Sequence, residues 1–161
     1  MQLKSKLIYD AYVDGSFSAK FDKGSWAYTI VEKDTDTSLA EASGLLDYTL
    51  QPELKKLRNI ATECCAVIEA LTYANQYGVR LNIYYDYIGL ERWVWDITDN
   101  QKPWQCKTDF TWEYRQSVIE YENNLNKMIW VKGHSGNKWN EHTDDLATRL
   151  TGTNLKTKTT I

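Results

Sequence analysis

The sequence predicts a mixed α/β (α+β) protein: a five-stranded mixed sheet that opens as an antiparallel meander, continues with parallel strands and is flanked by helices. Three observations predict it. Three runs rich in β-branched and aromatic residues follow one another through the first 46 positions, joined by short polar connections, as hairpin-linked strands are. From position 61 the apolar period changes from two to that of a helix. Beyond it, strand and helix patterns alternate to about residue 150, which places helices against the sheet.

Residues 7–13, Leu-Ile-Tyr-Asp-Ala-Tyr-Val, suit a largely buried first strand. It is expected to end at Asp14, with Gly15-Ser16 as a turn signal and 17–24 as a short polar turn. Residues 25–31 and 39–46 form the second and third strands, connected through Asp34-Thr35-Asp36-Thr37. Residues 47–59 read as a polar connection holding Pro52 and the basic cluster Lys55, Lys56, Arg58. Cys64, Val67, Ile68, Leu71 and Ala74 define one apolar stripe, which predicts a helix over 61–77 closed by Gly78, with Glu63 in its first turn. Residues 81–85 are the fourth strand, ended by Asp86 as Asp14 ends the first. A short helix is expected from 89 to about 95, and 97–108 reads as irregular. Phe110, Tyr114, Val118, Tyr121 and Leu125 predict a second long helix. Residues 127–131 are the fifth strand, 133–137 a loop, and Asn140 the N-cap of a last helix to about 150. The expected division is one domain over 1–150 and a flexible tail over 151–161.

At 161 residues, with 42% apolar content, the chain is large enough for one real core and too apolar to be disordered. The net charge of −3 speaks mildly against a nucleic-acid binder, although averaging hides any local basic stripe. Cys64 and Cys65 fall in a helical pattern and Cys106 stands alone, so all three read as thiols, and no zinc spacing exists. No signal-peptide or bilayer-spanning run is present. A monomeric, cytoplasmic protein with no membrane contact is the expectation.

The chemistry lies in the acids. Asp14 and Asp86 both fall at expected strand C-termini, where sites form in open sheets covered by helices. Glu63 can point at the same edge, and Asp144, four residues past Asn140, can close the group. Four converging carboxylates repel one another. Hard divalent cations relieve that repulsion, and oxygen-only donors suit Mg²⁺ or Mn²⁺. A pair of ions about 3.5–4 Å apart is the arrangement that serves phosphodiester cleavage.

Four pieces of the sequence fall in a recognisable order: Tyr12-Val13-Asp14-Gly15-Ser16; Asn59-Ile60-Ala61-Thr62-Glu63; Tyr84-Tyr85-Asp86; and Val131-Lys132-Gly133-His134-Ser135-Gly136, continued by Asn140-Glu141 and Asp144-Asp145-Leu146-Ala147. With them the chain resembles type 1 ribonuclease H over residues 9–150. Tyr85-Asp86-Tyr87-Ile88-Gly89-Leu90-Glu91-Arg92-Trp93, together with Ile60, is similar to a bacterial branch whose members often carry a small N-terminal hybrid-binding module; the expectation is that this chain lacks one or is a fragment. The resemblance implies a ribonuclease H-like fold and two-metal hydrolysis of the RNA strand of RNA–DNA hybrids, leaving 5′-phosphate and 3′-hydroxyl ends. It implies Asp14 bridging two Mg²⁺ ions (Mn²⁺ as substitute), with Glu63, Asp86 and Asp144 completing the shells and His134 assisting proton transfer or product release. Gly15, Ser16, Asn59 and Asn140 are the implied substrate contacts, Asn59 in the minor groove and Asn140 first of all as a helix cap.

Three departures stand out. Tyr85-Asp86-Tyr87 replaces the usual Thr-Asp-Ser, and Ile60 occupies a position that is often polar. The basic handle of some relatives is reduced to Lys102 and Lys107. Transposases, integrases and junction resolvases share the expected fold and acids but lack the 133–144 histidine loop in this form. A scaffold on an inactivated fold would lack carboxylates that are all present here. A ribonuclease H segment of a reverse transcriptase stays open at this level.

Overall fold

The computed structural model describes residues 7–94, 104–133 and 136–152. Strands β1 (Ile8–Ser18), β2 (Lys23–Val31) and β3 (Ser38–Leu45) form the meander. They are followed by α1 (Glu53–Leu57), α2 (Asn59–Tyr77), β4 (Arg80–Tyr85), α3 (Gly89–Arg92), α4 (Asp109–Glu120), β5 (Leu125–Trp130) and α5 (Lys138–Thr151). The sheet order is β3-β2-β1-β4-β5. β2 is antiparallel to both β1 and β3, while β4 is parallel to both β1 and β5. The expected mixed five-stranded sheet is present, with β1 at its centre.

Alternation along β1 assigns its two faces. Ala11 and Val13 are fully buried against α2, in a core with Cys64, Val67, Leu71, Ile83 and Tyr114. The opposite face carries Tyr12, Asp14 and Ser16 and meets α5. There the seam is made of hydroxyls: Ser16 Oγ and Thr151 Oγ1 lie 2.8 Å apart, Ser25 donates to the Ala147 carbonyl, and Thr143 donates to Thr29 Oγ1 at 2.9 Å. Cys64, Cys65 and Cys106 are free thiols. Among the described residues no helix is long and apolar enough to cross a membrane.

The structure departs from the sequence expectations at several boundaries. β1 does not end at Asp14; it continues to Ser18, and Asp14 pairs with Ala27 of β2. The turn falls instead at 19–22, where Asp22 adopts φ 54°. Gly15-Ser16 therefore is no turn signal here, because pairing with β2 extends the strand past it. Within the expected polar connection, Leu54 is buried and docks the short α1, and Arg58 at φ 48° separates it from α2. The second long helix stops at Glu120. A 3-10 turn over Glu122–Asn124 follows, and Leu125 opens β5 beside Leu81. The spacing of Tyr121 and Leu125 fits a helix, but Asn124, buried and donating to the Val79 carbonyl at 2.9 Å, ends it.

α3 ends at Arg92 rather than near 95: Trp93 and Val94 form a turn, and Trp95 lies outside the described residues. Asn140 does not cap α5. The cap is Asn137, whose Oδ1 accepts the Asn140 N–H at 2.9 Å. Thr151 belongs to α5 and is buried, and Gly152 at φ 82° closes the helix. Thr151 and Gly152 therefore fall outside the expected tail; 153–161, like His134, lie outside the described residues.

The α5 cap carries a prediction. Asn137→Ala should destabilise the fold by about 1 kcal/mol, which at this chain length lowers the thermal midpoint by roughly 2–4 °C. Asn137→Ser should recover most of the loss, and melting curves of both variants check it.

Candidate active site

Four elements deliver acids to one edge of the sheet. The last residue pair of the parallel β1–β4 ladder is Tyr12 with Tyr84. Asp14 lies two residues beyond it on β1, and Asp86 follows the end of β4. The backbone at Asp86 is held by Trp130, whose Nε1 donates to its carbonyl at 3.0 Å. Glu63 arrives from the other face, on α2. A Cβ on Gly15 would lie 2.7 Å from the Glu63 amide nitrogen and overlap the Thr62 side chain, so only glycine lets α2 approach β1 here. Asp144, on α5, reaches the same cavity.

One carboxylate oxygen each from Asp14, Glu63 and Asp86 lies within 4.8 Å of the other two. Asp14 and Glu63 are only 4% and 7% exposed, so water screens them little. Burial, followed by the charge of Asp86, pushes the Asp14 carboxyl well above the usual carboxylate range. Burial, then Asp14 and Asp86, does the same to Glu63. The two carboxyls also share a hydrogen bond. Glu63 Oε2 is buried with no partner. A buried acceptor left unpaired is costly. An oxygen-only donor set of clustered acids with one orphaned oxygen is what a hard divalent cation requires, so these residues fit Mg²⁺ or Mn²⁺.

The acids lie on a cavity of about 370 Å³. Of the substrate contacts implied by the sequence, Gly15, Asn59 and Asn140 line it. Asn140 is buried and its Oδ1 has no partner, so its amide is a ready acceptor at the cavity wall. Ser16 lies elsewhere, spent on Thr151 in the α5 seam. Its alternation parity explains this: it shares the α5 face with Asp14 but sits one pleat further along. Three lining residues were not expected as contacts, namely Ile60, Tyr87 and Glu141. Each neighbours an expected residue in the chain, which is the signal that could have found them. Trp93 is buried in the core, and Trp104 and Trp112 are exposed.

A central strand with acids at its edge and an acid-bearing last helix defines the class: a nuclease of the ribonuclease H-like fold. The RNase H family profile matches residues 7–151, and the chain belongs to that family. It is 27% identical to a ribonuclease H of Treponema denticola over 86% of this chain and 93% of that one. It is also 27% identical to a ribonuclease H of Granulibacter bethesdensis, covering 92% and 95%. Among solved structures it is similar to RNase H1 of the halophilic archaeon Halobacterium salinarum, with a TM-score of 0.66 and 20% identity over 88% of this chain and 96% of that one. A metagenomic RNase H1 from compost gives a TM-score of 0.63 at 16% identity, covering 91% and 97%. At these identities the two structures speak for the fold.

The acid cluster sets the pH dependence of the metal-free protein. Both raised carboxyls favour the protonated fold, so their contribution is full below the unfolded value near 4 and is lost as pH rises through the folded values. In EDTA, Asp14→Asn should therefore melt higher than wild type by a margin that widens from about pH 4 toward neutrality. Adding Mg²⁺ should stabilise wild type more than the variant. Paired melting curves across pH check both signs.

Proposed function

We propose that the protein is an endonuclease that hydrolyses the RNA strand of RNA–DNA hybrids with two divalent cations, leaving 5′-phosphate and 3′-hydroxyl ends. The observation that carries this reading is the convergence of Asp14, Glu63 and Asp86 with an unpaired buried oxygen of Glu63. Asp14, on the central strand, would be shared between the ions, and Glu63, Asp86 and Asp144 would complete the donor set. When bound, Mg²⁺, or Mn²⁺ in its place, supplies an activated water and neutralises the leaving 3′-oxygen.

The chain's own residues position and select. Asn59, exposed at the start of α2, and Asn140 offer amides to the nucleic acid from either side of the acids. The sugar 2′-hydroxyl is the group that separates RNA from DNA, and Glu63 would help to sense it. Beside the site, Lys55, Lys56 and Arg58 border a cleft of about 520 Å³. Lys55 is held there by Asp22 at 2.8 Å, and Arg58 lies 5.6 Å from the Phe17 ring centroid. These cations suit the phosphate backbone and locally reverse the acidic balance of the whole chain. His134 is assigned proton transfer or product release, since an imidazole titrates near neutrality.

The test presents one labelled strand as RNA in a hybrid, RNA in an RNA duplex and DNA in a DNA duplex, each with Mg²⁺, Mn²⁺ or EDTA. Metal-dependent cuts in hybrid RNA alone are expected, with Asp14→Asn slower by at least roughly a hundredfold. Cuts in duplex DNA would overturn the reading.

A further inference from the structure

Resting on the hybrid-cleaving reading above, we propose that Tyr87 is a specificity-determining residue that contacts the ribose and 2′-hydroxyl of the RNA strand in the catalytic cavity. The cavity wall is otherwise poor in what a ribose needs. Its acids only accept hydrogen bonds when ionised, and Asn59 and Asn140 supply amides. Among the lining residues, Tyr87 alone brings an aromatic face and a hydroxyl. A ribose presents an apolar C–H face and a 2′-hydroxyl that both donates and accepts, and a tyrosine answers both.

The ring is held for the task. It lies across Gly89, where a Cβ would come within 2.6 Å of Tyr87 Cε2, so the missing side chain is the seat for the ring. Its other side meets Trp93, with centroids 5.8 Å apart at 59°. The turn beneath it is pinned from both ends. The Tyr85 hydroxyl donates to the buried Glu91 carboxylate, and the Tyr114 hydroxyl donates to the Leu90 carbonyl at 2.6 Å. No hydrogen bond ties the Tyr87 hydroxyl to another described residue.

Tyr87 also occupies a boundary. Ile60 lines both the catalytic cavity and an apolar groove of about 420 Å³ that includes Trp93, Trp104 and Lys107. Tyr87 touches the first cavity directly and the second through Trp93. The cleaved strand, seated over the acids, meets this ridge with its sugar edge.

The experiment is a double-mutant cycle between enzyme and substrate. Wild type and Tyr87→Phe are measured on a single-site hybrid, all-RNA or with one 2′-deoxy nucleotide placed in turn within two positions of the cleaved bond. Tyr87→Phe should lower kcat/KM on the all-RNA hybrid about 3–10-fold, the worth of one hydrogen bond. At one position the 2′-deoxy change should then cost less than about twofold in the variant while costing wild type the same 3–10-fold. Multiplicative losses at every position, or an unchanged kcat/KM, overturn the contact. Tyr87→Phe keeps the ring in its seat, and an unchanged melting curve separates the contact from a folding effect. If wild type cuts no hybrid the functional reading falls and takes this inference with it; if it cuts and the losses multiply, only this inference falls.

Discussion

Everything at this edge of the molecule depends on the forced proximity of Asp14 and Glu63. The two acids sit on opposite faces of the sheet layer, one on the central strand and one on the helix across it. They meet only because Gly15 has no side chain to hold Thr62 and Glu63 away. The fold thus brings buried like charges together at a cost that its apolar core offsets. The resulting tension, carboxyls raised well above their usual range, would be the physical basis of the proposed cation affinity. A site that were comfortable without an ion would hold one weakly.

The rest of the architecture serves that contact. β1 pairs on both sides, antiparallel to β2 and parallel to β4, so Asp14 is fixed by the most constrained strand of the sheet. Asp86 follows the neighbouring parallel strand, and Trp130 of β5 ties its backbone from the third. The polar residues Asp10, Asn82 and Asn126 cross the same three strands as a chain of side-chain hydrogen bonds, 3.1 Å and 2.7 Å long.

Much of this was legible in the sequence, and the reasons differ by element. Strands β2 and β4 and helix α2 carry strong periodicity and clear stop signals such as Gly78, so their positions were readable. The acids were legible because their order matches a family pattern; Asp86 does follow a strand end, whereas Asp14 lies inside β1 and Asp144 well inside α5. What was missed depends on tertiary contact. The extension of β1 past Gly15 follows from its pairing with β2, which no local signal carries. The cap of α5 went to Asn137 instead of Asn140 because two asparagines three apart offer the same cue, and only the backbone decides between them. The break at Asn124 rests on a hydrogen bond to Val79, far away in the sequence. Tyr87 could be read as a departure from the pattern, but its seat on Gly89 exists only in three dimensions.

The hydroxyl seam under α5 has a consequence for when the site exists at all. Its buried residues are Asn140, Thr143, Ala147 and Thr151, small and mostly polar, against the aliphatic and aromatic core beneath α2. An element with so little apolar burial is among the first to open in a native ensemble. Opening of α5 would take Asp144 away from the other three acids, so the hydroxyl seam is what holds the four-acid set together.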